Sequence, residues 1–109
     1  MIRLEDICYI KQNGWKVKIK KRATNEIELK GQVFSDKKII EIYLWNIDNQ
    51  KDFEITLLHE FQHVYDLIDF FEMENYELLT EQKARTLYND FPEVLREIKK
   101  EYPHTRGVV

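Results

Sequence analysis

The chain has 109 residues, with 17 Lys or Arg against 20 Asp or Glu and a formal charge of −3. That length suits one small domain with one core, and the acidic balance argues against a general binder of nucleic acid. One cysteine, three glycines and two prolines exclude an intramolecular disulfide and argue against a disordered or linker-rich chain.

Met1-Ile-Arg-Leu-Glu-Asp6 carries charge too early for an apolar leader. No apolar run is long enough to span a bilayer. The expectation is a soluble, cytoplasmic α+β protein with no membrane partner.

The first helix is expected from about Arg3 to Gln12, with Leu4, Ile7, Cys8 and Ile10 on its apolar stripe and Gly14 as its stop. Trp15-Lys-Val-Lys-Ile-Lys20 alternates with period two and predicts a strand with one apolar and one basic face. The cluster Lys16, Lys18, Lys20, Lys21 and Arg22 reads as a solvated strand face before it reads as a patch for an acidic partner. Glu26 to Lys30 alternates again. Gln32-Val33-Phe34 extends that strand past Gly31, where a bulge is expected. Ser35-Asp36-Lys37 is a turn, and Lys38 to Trp45 is the most β-prone segment. Three strands on short turns predict a mostly antiparallel meander.

Asp52 is a candidate N-cap for a long helix from about Phe53 to Phe71, with Leu57, Leu58, Phe61, Val64, Tyr65 and Ile68 facing the core. A third helix is expected from Tyr76 or Thr80, where Thr80 can cap, to Asn89. A last one is expected from Glu93 to Lys100 after Phe91-Pro92. The tail Tyr102 to Val109 is not helical in character.

The chemistry concentrates in Ile55-Thr-Leu-Leu-His59-Glu60-Phe-Gln-His63-Val64. On a helix, His59 and His63 project from one face and can bind one Zn²⁺ together. Glu60 lies beside them, placed to activate a zinc-bound water. The uncharged neighbours Leu58, Phe61, Gln62 and Val64 let the helix bury one side while presenting ligands on the other. The competing account is an amphipathic helix with two incidental histidines; a purely structural zinc site, by contrast, has no use for Glu60 as a general base.

Catalytic zinc takes three protein ligands and a water. The leading third ligand is Glu81, on a helix that can return antiparallel to the level of the histidines, with the small Ala84 one turn on allowing close approach. Asp69 lies six residues past His63, but its geometry requires a helix-breaking Gly at the place of Asp66. Glu77, one turn before Glu81, is the main remaining option and lacks a small residue three positions on.

His59-Glu60-x-x-His63 followed by Glu81-x-x-Ala84 resembles the gluzincin clan of metallopeptidases. The small size, with strands before the motif helix and little after the glutamate helix, looks like the minigluzincins, very small latent zinc peptidases. The resemblance covers most of the chain in architecture and two motifs in residues. It implies a minimal zincin-like domain over residues 1–109, one catalytic zinc on His59, His63 and Glu81, and Glu60 as general base and then acid. It implies an endopeptidase acting on a peptide or protein substrate, with the strand ending at Tyr43-Leu44-Trp45 as the rim of the cleft. Tyr88 and Arg85 are candidate oxyanion donors, although core and surface roles suit them as well. Asp66 and Asn89 are candidate partners of the imidazoles. Latency in that family implies a plug from the chain itself or a neighbour. The candidates are the tail 102–109, with His104 or the terminal carboxylate replacing the water, a swapped dimer built on that tail, or an N-terminal block through Cys8. The alternative function is a non-catalytic zinc-binding or protein-interaction module.

Overall fold

The computed structural model describes residues 1–23, 29–68 and 76–109. The order is α1 (Leu4–Gln12), β1 (Lys16–Lys20), β2 (Gly31–Phe34), β3 (Ile39–Tyr43), α2 (Gln50–Ile68), α3 (Tyr76–Asp90) and α4 (Pro92–Glu101), with 3₁₀ turns at Leu44–Asn46 and Pro103–Thr105. Among the described residues this is the expected α+β layout, with four helices and a three-stranded sheet.

The sheet is mixed and is not a meander. Its order is β1-β3-β2. β3 runs parallel to β1, Val17 opposite Ile40, and antiparallel to β2, Val33 opposite Ile40. Central placement explains why β3 is the most apolar strand: Ile40 and Ile42 are buried on the helix side, and Glu41 and Tyr43 are also buried. On that second face Glu41 accepts from the Tyr43 hydroxyl at 2.7 Å and pairs with Lys20 at 2.7 Å. Burial works against ionised Glu41, but its bonds to Lys20 and Tyr43 outweigh it and hold the carboxyl below its ordinary range. The lysines of β1 point to solvent, as their alternation predicts.

Gly31 pairs one-to-one with Ile42, and the register stays continuous to Phe34, so no bulge forms within β2. The expected part of that strand from Glu26 to Glu28 lies outside the described residues.

α2 is the central helix. Phe53, Leu57, Leu58, Phe61 and Val64 are completely buried. They pack with Ile7 and Ile10 of α1, Ile40 and Ile42 of β3, Leu87 of α3 and Ile98 of α4 in one core. The helix starts earlier than Asp52. Asn49 is its cap, since its carbonyl accepts from Phe53 N at 3.0 Å and its Oδ1 from Asp52 N at 2.8 Å. Asp52, three residues on, accepts from the N–H of Asp48, the residue before the cap, at 2.9 Å. Likewise Thr80 is buried inside α3 and does not cap it. Among the described residues, no helix is long and apolar enough to cross a membrane.

The tail packs on the outer edge of β1. The buried Tyr102 donates its hydroxyl to the Trp15 carbonyl at 2.8 Å, and a His104 ring nitrogen meets the Val17 carbonyl at 2.7 Å. Val109 N donates to Gln50 at 2.9 Å. These contacts place the candidate plug against β1 and the start of α2, and none of them is with His59, Glu60 or His63.

Candidate metal centre

α2 brings His59, Glu60 and His63 to its face toward β2 and α3. One ligand atom from each lies within 4.8 Å of the others. α3 runs back along α2, and its fully buried Ala84 permits the close approach that the sequence suggests. Two carboxylates of α3 then reach the histidines. Glu81 Oε2 is 2.8 Å from His59 Nδ1. Glu77 meets the other side: Oε2 is 3.1 Å from His59 Nε2 and Oε1 is 2.8 Å from His63 Nε2. The two Nε2 atoms are 2.9 Å apart.

Carboxylates of α3 thus meet both ring nitrogens of His59 and one of His63. His63 is held toward its neutral form by burial first and by neighbouring His59 second, so its pKa is lowered. Both Nε2 atoms and a Glu77 oxygen converge on one another, and two imidazole nitrogens with a carboxylate are a donor set suited to zinc. Bonds of 2.0–2.1 Å imply edges of ~3.3 Å for a tetrahedral ion. The observed spacings of 2.8–3.1 Å are a few tenths of an ångström shorter. The residues therefore fit a zinc ion with small outward shifts.

Glu60 is buried beside this cluster, 6% exposed. Burial first, and then the charges of Glu77 and Glu81, push its pKa up to about 8. Its neighbour across the cleft is Gly31. A Cβ there would come within 3.0 Å of Glu60 Cγ and 3.1 Å of the Glu41 carbonyl. The glycine lets the strand backbone lie directly on the acid, a role that its place in a strand pattern did not reveal.

The cleft has two lobes sharing Glu60 and Glu77. One, of about 360 Å³, is walled by Gly31, Gln32, Val33 and His63; the other, of about 200 Å³, by Thr56, His59 and Glu81. Its rim is edge strand β2, not the end of β3 as the resemblance implies, because β3 lies between β1 and β2. A larger pocket of about 460 Å³, between the start of α1 and Phe91, contains none of these groups.

The remaining candidates separate. Arg85 Nε pairs with Glu81 Oε1 at 3.2 Å. Tyr88 packs under Lys51, whose Nζ is 5.6 Å from the ring centre, near the start of α2. Asn89 is exposed. Asp66 is buried and accepts from Gln62 Nε2 at 3.0 Å, and Gln62 Oε1 accepts from Ile2 N at 2.9 Å. That chain ties the N terminus to the motif helix. Cys8 donates to Glu97 at 3.1 Å, between α1 and α4 and away from the histidines. Its bond to Glu97 first, then burial and nearby carboxylates, raise the thiol pKa, which disfavours a metal-seeking thiolate. Asp69 lies outside the described residues.

No protein-family model, curated protein or solved structure matches this chain.

Proposed function

We propose that the protein is a zinc-dependent metallopeptidase of the gluzincin type, with His59, His63 and a glutamate of α3 as ligands and Glu60 as the catalytic acid–base. The observation that supports it best is the convergence of both Nε2 atoms with a carboxylate, 2.8–3.1 Å apart, next to the buried Glu60.

Zinc, when bound, supplies a Lewis acid for water and carbonyl oxygen. The chain supplies the rest. Glu60 takes the proton from the attacking water and delivers it to the leaving nitrogen. Beside a bound dication, Glu60 would be held in its ionised, basic form despite its burial and the neighbouring acids. Glu81 fixes the tautomer of His59. The outer edge of β2 offers main-chain groups on which an extended substrate can lie as an added strand, and Gly31 lets the strand backbone approach Glu60.

Native mass spectrometry of the wild type and of His59→Ala, followed by hydrolysis of an unstructured protein such as casein, tests the reading. One zinc in the wild type, none in His59→Ala, and casein cleavage lost in Glu60→Gln with zinc retained is the expected result. Zinc bound with no cleavage of casein or a random peptide library would favour the non-catalytic zinc module. No zinc in the wild type would refute both.

A further inference from the structure

The motif spacing singles out Glu81 as the third ligand, but the atoms divide the two carboxylates differently. This inference rests on the zinc reading above. We propose that Glu77 is the third metal ligand and that Glu81 is a positioning residue that holds His59.

The imidazole ring of His59 decides the matter. Its Nδ1 and Nε2 lone pairs point away from each other, so one ion cannot be met by Nε2 and by a carboxylate seated on Nδ1. Glu81 is on Nδ1 at 2.8 Å. Its other oxygen is held by Arg85 at 3.2 Å. Both its oxygens are thus engaged on the far side of the ring. A carboxylate on the second nitrogen of a ligating histidine orients the ring and raises its basicity.

Glu77 is on the near side. One carboxylate oxygen faces His59 Nε2 at 3.1 Å and the other faces His63 Nε2 at 2.8 Å. It therefore sits across the gap between the two nitrogens that lie 2.9 Å apart. Glu77 also borders both lobes of the cleft beside Glu60, whereas Glu81 borders only the smaller. The helix makes the division natural. Glu77 and Glu81 are one turn apart on the same face of α3, so α3 lays two carboxylates along α2 one turn apart. The one nearer the start of α3 reaches both Nε2 atoms. Ala84 serves the packing of α3 on α2 whichever glutamate ligates, so the Glu-x-x-Ala spacing does not discriminate.

Conservative variants separate the roles. Glu81→Gln keeps an oxygen that accepts from His59 Nδ1. Glu77→Gln removes an anionic ligand. Zinc affinity is measured by competition with a chromophoric chelator, and the visible spectrum of the Co²⁺-loaded protein reports the coordinating atoms. Glu77→Gln is expected to weaken zinc by more than about 100-fold, beyond the range for outer partners, and to change the Co²⁺ spectrum. Glu81→Gln is expected to stay within about 10-fold of wild type with the wild-type spectrum, and Glu81→Ala to lose about 10–100-fold. Both glutamates are partly or largely exposed, and urea unfolding of each metal-free variant verifies its fold. The reverse pattern, with Glu81→Gln losing zinc and altering the spectrum, overturns the assignment while leaving the zinc site intact. Equal losses with both spectra altered overturn the division of roles. A wild type without zinc, or His59→Ala with wild-type affinity, refutes the zinc reading itself and this assignment with it.

Discussion

Replacing Glu60 by glutamine in the metal-free protein should stabilise it, and increasingly so as pH rises. The acid sits buried between α2 and β2 with its pKa raised from an ordinary 4.5 to about 8. The folded protein therefore holds a proton that the unfolded chain releases above pH 4.5. Stability falls with pH wherever the native state binds more protons. The cost of Glu60 begins near pH 4.5, grows through neutrality and levels off above the folded value of about 8. Three and a half pH units at ~1.4 kcal/mol each amount to about 5 kcal/mol, a large part of the ~5–15 kcal/mol available to a domain. Glutamine has nearly the same volume and no charge to desolvate, so the variant should escape this cost. Urea unfolding in the presence of a chelator is the assay. The two proteins should have equal stability near pH 4.5, and the Glu60→Gln variant should be ahead by several kcal/mol at pH 8. A difference that does not change with pH would refute the reasoning, because it would mean that Glu60 titrates alike in the folded and unfolded chains.

Gly31→Ala should cost about 1–3 kcal/mol by overpacking, since the new carbon meets both Glu60 and the Glu41 backbone; urea unfolding reads the loss, and casein hydrolysis should fall with it. Removing residues 102–109, or Tyr102→Ala alone, should destabilise by about 3–5 kcal/mol without raising hydrolysis; a faster enzyme of unchanged stability would restore the tail as a plug. Burial and the charge of Glu101 push the Tyr102 phenol from its ordinary 10 to about 12. Its contribution is therefore intact below pH 10 and lost as pH rises to 12, a decline that urea unfolding should find missing in Tyr102→Phe. Cys8 should alkylate slowly at pH 8, and Glu97→Ala should speed the reaction by removing the acceptor that holds the thiol proton.

The histidines and their acid were legible because helical spacing alone sets which side chains share a face. The α+β layout was legible because the hydrophobic period switches from two to 3.6 after Trp45. Strand neighbours were not, since alternation identifies a strand without saying what lies beside it. Only the assembled sheet shows β3 between β1 and β2 and gives the cleft to β2. Gly31 read as a bulge because a glycine in a strand has two uses, a kink or a close approach, and the second depends on a residue 29 positions away. Asn49 and Asp52 both suit a cap, and the order of their hydrogen bonds decides between them. Glu77 and Glu81 share a helix face, and the small Ala84 three positions past Glu81 favoured Glu81 in the sequence, although it serves the packing of α3 whichever glutamate ligates. Which side of an imidazole each reaches is a matter of a few ångströms in the packing of α3 on α2.

The seating of Tyr102 and His104 on β1 bears on how the chain acquires its shape during synthesis. The donors that cover the Trp15 and Val17 carbonyls come from residues 87 positions later. At ~5–20 residues per second, β1 waits roughly 4–17 s after it is made for that cover to exist. Its other partner, β3, arrives much sooner. A growing chain therefore passes through an interval in which α1, β1 and β3 can associate while one sheet edge stays bare, and a bare edge invites pairing with other chains. The lysines spaced along β1 then act as a guard during that interval, keeping other strands off by charge until the last turn of the chain closes over the edge.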